Sequence, residues 1–291
     1  MFKKLTVALA GNPNSGKTTI FNLLTGARQH VGNYPGVTVE KKEGHCRHQD
    51  YEMTVVDLPG TYSLTAFSIE ELVARNFIVQ EHPDIVVDII DASSIERNLY
   101  LATQLIEMNV PLVLAFNMTD VAEQKGLLFN IEQLSSLLEA RIVPTVGHKG
   151  KGRKELLDAI VETAREGKKQ RTHQVGYGDE IEQELALITN IVAEKEPKLA
   201  GKYGARWLAI KLLEQDDELT SRVQNCDVLA AVIASIAHLK DIFGDIPEAV
   251  MADRRYGFIS GACQETIRTT VELRHGYSDM IDAIMTNRIL G

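Results

Sequence analysis

The chain has 291 residues, of which 44% are hydrophobic and 24% are charged, so its composition excludes an intrinsically disordered protein. Its formal net charge is −9 and it has no long block of lysine and arginine, which disfavours sequence-independent binding to nucleic acid or to anionic lipid. The three cysteines, Cys46, Cys226 and Cys263, are odd in number and far apart, which is typical of reduced thiols in a cytosolic protein.

Strand and helix signals alternate in the first part of the chain. Predicted strands are residues 5–10, 37–41, 53–56, 85–90, 111–116 and 141–146, and predicted helices are residues 17–25, 69–80, 97–108, 131–138 and 153–165. This alternation predicts an α/β domain with a mostly parallel sheet and helices on both faces. We place this domain at residues 1–166.

A polar segment without periodicity, residues 167–174, is predicted to be a linker. Beyond it, apolar residues recur with a spacing near 3.6 in residues 180–194, 205–213, 228–242, 247–268 and 278–289. The second domain, residues 175–291, is therefore predicted to be a small all-α bundle. No stretch reaches the roughly 18 consecutive apolar residues of a membrane span, so we expect the chain as given to be soluble.

One loop between a predicted strand and a predicted helix has the pattern G-x-x-x-x-G-K-[ST]. Its residues are Gly11, Asn12, Pro13, Asn14, Ser15, Gly16, Lys17 and Thr18. The backbone N–H groups of such a loop wrap a polyphosphate at the positive end of the helix. Lys17 is predicted to neutralise the terminal phosphates, and the Thr18 hydroxyl to bind Mg²⁺. Alone, the pattern is also compatible with a glycine-rich turn that carries a surface lysine.

Two further motifs follow predicted strands. The first consists of Asp57, Leu58, Pro59 and Gly60. Asp57 is predicted to hold Mg²⁺ through water, and the Gly60 amide to sense the γ-phosphate, although these residue types also form plain turns.

The second of these motifs consists of Asn117, Met118, Thr119 and Asp120. The Asp120 carboxylate can accept two hydrogen bonds from guanine, a donor pair that adenine lacks. A helix N-cap is the alternative explanation for Asn117 and Asp120. All three motifs come at the carboxyl ends of strands, where parallel sheets bind ligands, so together they predict GTP binding.

This ordered set resembles the Ras-like P-loop GTPase superfamily over about residues 1–165. The resemblance implies that Thr38 is the switch threonine that closes on Mg²⁺ and the γ-phosphate. The GTP-binding segment around it is Gly36, Val37, Thr38, Val39 and Glu40. The resemblance also implies that Val146, Gly147 and His148 form the last guanine-contacting loop, where the family usually has Ser-Ala.

Gly60 is followed by Thr61, where Ras-like enzymes carry the glutamine that orients the attacking water. No arginine is expected next to the phosphate loop. In GTPases with Pro-Asn-x-Gly-Lys, the matching asparagine helps to hold K⁺ beside the β- and γ-phosphates, so the resemblance implies a K⁺ site at Asn14. Alternatively, Asn14 only stabilises the loop. We predict slow intrinsic hydrolysis, with Asn14, Lys17, Thr38 and Gly60 as the catalytic residues.

The amino-acid sequences of several segments resemble the ferrous iron transport protein B (FeoB) family. These segments are residues 32–44, 57–64, 91–99, 117–120, 206–208 and 287–291. The resemblance implies the GTPase region of a bacterial ferrous-iron transporter at the cytoplasmic face of the inner membrane, followed by a helical domain that slows GDP release. A polytopic membrane domain would begin beyond Gly291.

The same resemblance implies GTP, GDP, the protein's own membrane domain and small Feo accessory proteins as partners, and no nucleic acid. Mg²⁺ is the implied cofactor and K⁺ the implied activator. The main alternative is a soluble GTPase of ribosome assembly or tRNA modification, but those tend to carry Pro-Gly-Thr-Thr in the first switch and a basic appendage. A nucleotide-binding scaffold without catalysis is disfavoured by Lys17, Thr18, Thr38 and Asp57.

Two other features of the sequence favour a structural role over a binding site. His45, Cys46 and His48 have donor atoms that bind metals, but strand alternation places His45 opposite Cys46 and His48, which favours a polar surface hairpin. Trp207 lies on an apolar helical face and is predicted to belong to the core.

Overall fold

The computed structural model describes residues 2–26, 29–65, 67–167 and 175–269. Its strands are β1 (Lys3–Gly11), β2 (Gln29–Asn33), β3 (Glu40–His48), β4 (Tyr51–Asp57), β5 (Ile85–Asp91), β6 (Leu112–Asn117), β7 (Leu127–Phe129), β8 (Arg141–Pro144) and β9 (Ile267–Thr269). The helices of the first part are α1 (Lys17–Thr25), α2 (Ile69–Glu81), α3 (Ile95–Glu107), α4 (Thr119–Gln124), α5 (Ile131–Leu138) and α6 (Arg153–Glu166). Those of the second part are α7 (Asp179–Lys195), α8 (Pro197–Tyr203), α9 (Ala205–Leu213), α10 (Asp217–Thr220), α11 (Cys226–Phe243) and α12 (Pro247–Thr266).

Seven strands form the main sheet in the order β2-β3-β4-β1-β5-β6-β8. The pairs from β4 to β8 are parallel, whereas β2 and β3 add an antiparallel edge. This confirms the predicted α/β class with a mostly parallel sheet. Because β1, β4, β6 and β8 run in the same direction, the loops that follow them meet at one edge, which we call the nucleotide edge.

The central strands read as continuous apolar runs because helices cover both faces of the sheet. In β1, Val7 and Leu9 pack with α1 and α6, whereas Ala8 and Ala10 face the layer that contains α2 and α3. The capping box that begins α2, from the Ser68 hydroxyl and the Glu71 carboxylate, fixes where that helix begins.

The second part is helical, as predicted, and its apolar residues continue the cluster on the α2 and α3 face of the sheet. Trp207 is 2% exposed within this cluster, which confirms its place in the core. The chain then returns to the first part, since β9 pairs antiparallel with β7 and Asn130 donates a backbone hydrogen bond to Thr266.

Buried charges join the two parts at a contact that we call the junction. On α2, Arg75 lies 2.5 Å from Asp216 and 2.6 Å from Glu218. On α12, Arg255 makes two hydrogen bonds to Glu107 of α3, at 2.8 and 3.0 Å.

The part of the junction around Arg255 contains further charged and polar partners. Arg255 also lies 2.5 Å from Glu214, which pairs with Lys211 at 2.8 Å. Glu107 accepts a hydrogen bond from the Tyr177 hydroxyl. Burial pushes the pKa of Glu214 up, but Lys211 and Arg255 outweigh it, so this pKa is lowered and Glu214 is ionised.

The structure corrects the predicted strand at residues 37–41. Residues 35–38 form a turn in which Gly36 has φ of 77°, and Tyr34 N–H donates to the carbonyl of Val39, so β3 begins only at Glu40. The elements β2, α4, β7, α8, α10 and β9 were not predicted from the sequence, and the helix predicted at residues 247–268 ends at Thr266, where β9 follows. These unpredicted elements are all short, and β2 is exposed throughout, so it carries no apolar alternation.

The predicted linker lies outside the described residues except at Gly167, and so does the predicted helix at residues 278–289. No helix among the described residues is long and apolar enough to cross a membrane.

Candidate nucleotide-binding site

The predicted phosphate loop connects β1 to α1. Asn14 and Gly16 both have positive φ, 67° and 86°, and Gly16 is the N-cap of α1. A Cβ at Gly16 would lie 2.2 Å from the Asn117 side-chain nitrogen, so only glycine fits there. The loop therefore turns sharply into the positive end of a helix, as phosphate binding requires.

Lys17 and Asp57 form an ion pair across the mouth of this loop, and both side chains are largely buried. The pair joins the phosphate loop to the end of β4. Thr18 lies beside Lys17 in the first turn of α1, with its side chain exposed. The residues predicted to hold terminal phosphates and Mg²⁺ are thus brought together, with oxygen donors that suit Mg²⁺.

The first switch segment is anchored by Tyr34. This residue is buried, its hydroxyl donates to the Asp57 carbonyl at 3.1 Å, and its ring packs edge-on against Phe77 of α2. Burial, with Asp57 and Glu43 nearby, raises the pKa of Tyr34 well above its ordinary value, so the hydroxyl remains a donor. Nothing in the residue pattern around Tyr34 signalled this anchor.

Thr38 lies exposed in the turn that precedes β3. Its side chain makes no hydrogen bond to any described residue, so the structure does not bring it to Thr18 or Asp57. Its role as a Mg²⁺ ligand stays a prediction. Gly36, Val37, Val39 and Glu40 lie in the same segment.

The second switch segment is tied to the phosphate loop by its backbone. Thr61 N–H donates to the Gly11 carbonyl at 3.2 Å, and a Cβ at Gly60 would lie 3.4 Å from Pro13. The Thr61 side chain is 3% exposed and its hydroxyl donates to the Ser63 carbonyl at 2.6 Å. Thr61 is therefore turned away from the site and cannot replace the missing glutamine.

Leu58 and Pro59 lie between these two switch residues. The Leu58 side chain is buried and its N–H donates to the Leu9 carbonyl at 3.0 Å, so Leu58 holds the strand end in place.

The expectation that no arginine charge adjoins the phosphate loop stays a prediction, although Arg97 contacts this loop through its backbone. Asn12 of that loop donates a hydrogen bond to the Arg97 carbonyl at 3.3 Å. The Arg97 guanidinium lies 4.4 Å from the centre of the Tyr62 ring in the second switch segment. Arg97 is 85 residues from Asn12 in the chain, and the parallel pairing of β1 with β5 brings the two close together.

Asn117 connects the loops of the nucleotide edge. Its amide nitrogen donates to the Ser15 carbonyl at 2.9 Å, and its side-chain oxygen accepts from Gly147 N–H at 2.9 Å. Met118 has φ of 59°, and Thr119 donates to the Thr145 carbonyl at 3.2 Å. The structure thus places the phosphate loop, the loop that begins at Asn117 and the last loop in direct contact. Asn117 connects these loops through its side chain and does not act as a helix cap.

Asp120 contacts two side chains from the last loop. Its Oδ2 lies 2.7 Å from Lys149 Nζ and 3.6 Å from His148 Nε2. The hydrogen bond from Lys149 is the chief cause of the lowered pKa of Asp120, which keeps this carboxyl ionised and able to accept hydrogen bonds. Lys149 was not predicted from the sequence, since it lies one residue beyond the predicted loop.

Gly147, where the family usually has Ser-Ala, lies close to α1. A Cβ there would lie 3.0 Å from Ile20 and 3.1 Å from Thr19, both on α1. The glycine lets the loop pack closely on α1, while Val146 beside it is buried.

The side chains of His45, Cys46 and His48 alternate along β3, as predicted. His48 contacts Asp158 at 2.6 Å, and His45 contacts Thr54 at 3.3 Å. Within the described ranges, no cluster of three or more His, Cys, Asp or Glu side chains is arranged to hold a metal ion.

Family models match most of the chain. The model described as ferrous iron transport protein B matches residues 5–160, and the model of the FeoB cytosolic helical domain matches residues 177–268. The chain is 43% identical to an Fe(2+) transport protein A/Fe(2+) transporter FeoB fusion protein from Porphyromonas gingivalis and 39% identical to the Fe(2+) transporter FeoB of Salmonella choleraesuis. Those alignments cover 99% of this chain but only 35% and 37% of the relatives, so the chain spans about a third of their length.

Solved structures are similar over almost the same region. A GDP-bound mutant of the S. thermophilus FeoB G-domain is 35% identical, with a TM-score of 0.84 over 91% of this chain and 100% of that one. The cytosolic domain of the T. maritima FeoB iron transporter in a GDP form is 32% identical, with a TM-score of 0.80 over 92% of this chain and 100% of that one.

Proposed function

The chain belongs to the ferrous iron transport protein B family, and from this premise we propose that it binds and hydrolyses GTP to regulate Fe²⁺ transport across a bacterial inner membrane. The observation that carries the proposal is the contact between Lys17 and Asp57 at the same sheet edge as Asp120. One GTP molecule can there meet a phosphate-binding lysine, a Mg²⁺-binding carboxylate and a guanine-reading carboxylate.

Different residues of the protein have different roles in the proposed hydrolysis. Lys17 and the loop amides would hold the phosphates, and the Gly60 amide, in the segment close to Pro13, would respond to the γ-phosphate. Thr18 and Asp57 would hold Mg²⁺, which supplies electrostatic stabilisation of phosphate charge when bound. Thr38 would join them when the first switch closes, because only a γ-phosphate gives it a charge to close on.

Asn14 is the proposed holder of K⁺. Its backbone has the left-handed conformation and its side chain is exposed beside Lys17, so its amide oxygen is free to bind a cation. Because Thr61 is turned inward, positive charge must reach the developing negative charge by another route. Arg97 is the second candidate for that charge, since its backbone contacts Asn12.

GTP turnover in KCl and in NaCl at equal ionic strength tests the Asn14 assignment. We expect at least about tenfold faster hydrolysis in KCl, as removal of a comparable transition-state contact costs about 10²–10³ in rate. Asn14→Ala should abolish the K⁺ effect while nucleotide affinity stays near wild type, and Arg97→Ala should keep it. Equal wild-type rates in the two salts, or loss of the effect only in Arg97→Ala, would refute the assignment.

The transport role is tested in the whole protein. Cells that depend on it for Fe²⁺ uptake should lose uptake with Lys17→Ala and keep it with Lys198→Ala, an exposed change on α8. Uptake that survives Lys17→Ala would separate GTP binding from transport. The fused transport protein A in the P. gingivalis relative supports a small Feo accessory partner, and the membrane domain is the second proposed partner.

A further inference from the structure

The second switch segment is held by a side chain of α3 that lies outside every nucleotide-binding motif of the sequence. The N–H of Leu64 donates a hydrogen bond to Oε1 of Gln104 at 2.5 Å, and the two residues are 40 positions apart in the chain. Both are 0% exposed. Because a buried backbone N–H is costly to leave unpaired, Gln104 fixes the position of Leu64.

A short hydrogen-bonded turn connects Leu64 to Gly60. The Thr61 hydroxyl donates to the Ser63 carbonyl at 2.6 Å and accepts from the Ser63 N–H at 3.3 Å. The Thr61 N–H donates to the carbonyl of Gly11 in the phosphate loop at 3.2 Å. The turn is therefore held by the phosphate loop at one end and by α3 at the other, and its position determines where the Gly60 N–H lies.

The helix α3 is a firm support for this contact because it is fixed to α12 on both sides of Gln104. One turn after Gln104, the 3% exposed side chain of Glu107 accepts two hydrogen bonds from Arg255. One turn before it, Tyr100 stacks on Tyr256 with the ring centres 4.9 Å apart. The hydrogen bond from Gln104 therefore relates the switch segment to a part of the molecule that is itself held in place.

A second contact between α3 and the switch segment is weaker. The Arg97 guanidinium lies 4.4 Å from the centre of the Tyr62 ring, and Tyr62 is 42% exposed. A solvated contact between a cation and an aromatic ring contributes less than the pairing of a buried backbone N–H. Gln104 therefore makes the stronger of these two contacts.

We infer that Gln104 is a positioning residue for recognition of the γ-phosphate, an inference that rests on the proposed binding of GTP. Gln104 acts through Leu64 and the turn, which hold the Gly60 N–H where an oxygen of the γ-phosphate can accept its hydrogen bond. GDP lacks this phosphate. Loss of the Gln104 acceptor therefore weakens the binding of GTP and leaves the binding of GDP almost unchanged.

Calorimetric titration with GDP and with the slowly hydrolysed analogue GTPγS tests the inference. Gln104→Met keeps the length of the side chain and removes the acceptor. The affinity for GTPγS should fall about tenfold, the scale of one hydrogen bond to a charged group, while the affinity for GDP stays within about twofold. Thr103→Val is the matched control, because it removes another buried hydrogen bond of α3, from Thr103 to the Tyr100 carbonyl at 2.7 Å. It should leave the ratio of the two affinities unchanged.

Two further variants separate the acceptor from the packing of the side chain. Gln104→Glu keeps an acceptor oxygen at the same reach and should retain the wild-type ratio of affinities. Gln104→Asn is one methylene shorter, so its oxygen is drawn back from Leu64, and this variant should resemble Gln104→Met. Urea unfolding of each variant shows that it is folded, and the comparison of Glu with Asn decides the matter if Gln104→Met does not fold.

A wild-type ratio of affinities in Gln104→Asn and Gln104→Met, or an equal fall of that ratio in Thr103→Val, would overturn the inference. So would a fall in Gln104→Glu as large as that in Gln104→Asn. In each of these cases the wild type still binds both nucleotides, so the proposed function stands. A wild-type protein that binds neither nucleotide would overturn the proposed function, and the inference with it.

Discussion

At the nucleotide edge, the Asp120 side chain contacts partners that a ligand can replace. At the junction, the charged side chains are buried against each other. Lys149, which holds Asp120, is 57% exposed. Arg75 and Arg255 of the junction are 0% and 1% exposed. Both regions rely on ion pairs, but the pair of Asp120 with Lys149 is solvated, whereas the arginines of the junction are buried.

This difference decides what each region can do. A solvated pair such as Asp120 with Lys149 has little net stability, so it can open for a nucleotide at low cost. A buried pair is costly to break because the remaining charge cannot be solvated. The junction therefore fixes how α2, which follows the second switch, sits against the helical part.

Among substitutions of paired charges, the largest expected effect comes from breaking the junction. Arg255→Met removes the cation shared by Glu107 and Glu214 and should lower the free energy of unfolding by about 4 kcal/mol, the usual cost of an unpaired buried charge. Arg254→Met, one residue away and exposed, is the matched control and should change little. Urea unfolding measures both. Equal stability of the two variants would show that the junction contributes no more than a surface pair.

The next largest effect concerns the nucleotide edge. Asp120→Asn replaces an acceptor with a mixed donor and acceptor, so GTP affinity should fall by about a hundredfold or more while xanthine nucleotides gain relative affinity. The fold should be unaffected, because asparagine can still accept the hydrogen bond from Val121 N–H, and the other contacts of Asp120 are with exposed side chains of the last loop. Calorimetric titration with GTP and XTP measures the change. Unchanged GTP affinity would mean that the base is read elsewhere.

The motif loops could be predicted from the sequence because each one's function is set by local residue types at fixed spacing. Gly16, Lys17 and Asp57 fall where a parallel sheet must place them. The long apolar strands and periodic helices were predictable for the same reason. The role of Thr38 was predicted from the resemblance to the family, and its contact with Mg²⁺ remains a prediction.

Contacts between distant segments could not be predicted. Arg75 and its partner Asp216 are separated by 141 residues, and no local pattern links them. Arg97 reaches the phosphate loop only through the pairing of β1 with β5, and Lys149 reaches Asp120 only through the turn at Gly147. These contacts depend on tertiary packing, which overrides local signals.

Asp88 in β5 differs from the charged residues of both regions. It is buried, like the arginines of the junction, but its Oδ2 has no partner among the described residues. Burial raises the pKa of Asp88 to about 8, so the folded protein keeps its proton where the unfolded chain has lost it. Stability should therefore fall as pH rises from about 4 to 8, by about 1.4 kcal/mol per unit.

Asp88→Asn should remove this part of the pH dependence, and the exposed change Asp253→Asn should leave it in place. Urea unfolding at a series of pH values measures the slope. An unchanged slope in Asp88→Asn would mean that Asp88 is ionised and solvated in the folded protein.

The smallest effect tests how easily the nucleotide edge opens. Lys149→Gln removes the cation that occupies Asp120, so GTP affinity at neutral pH should rise about twofold to threefold, the scale of an exposed pair. The hydrogen bond from Lys149 is the main reason that the pKa of Asp120 is low. Without it this carboxyl gains a proton at higher pH, so the loss of GTP affinity in acid should begin at a higher pH than in the wild type. Lys151→Gln, also exposed, controls for net charge. If Lys149→Gln instead weakened GTP binding tenfold, Lys149 would be a nucleotide contact in its own right, and the solvated pair would be part of the binding site rather than a competitor for it.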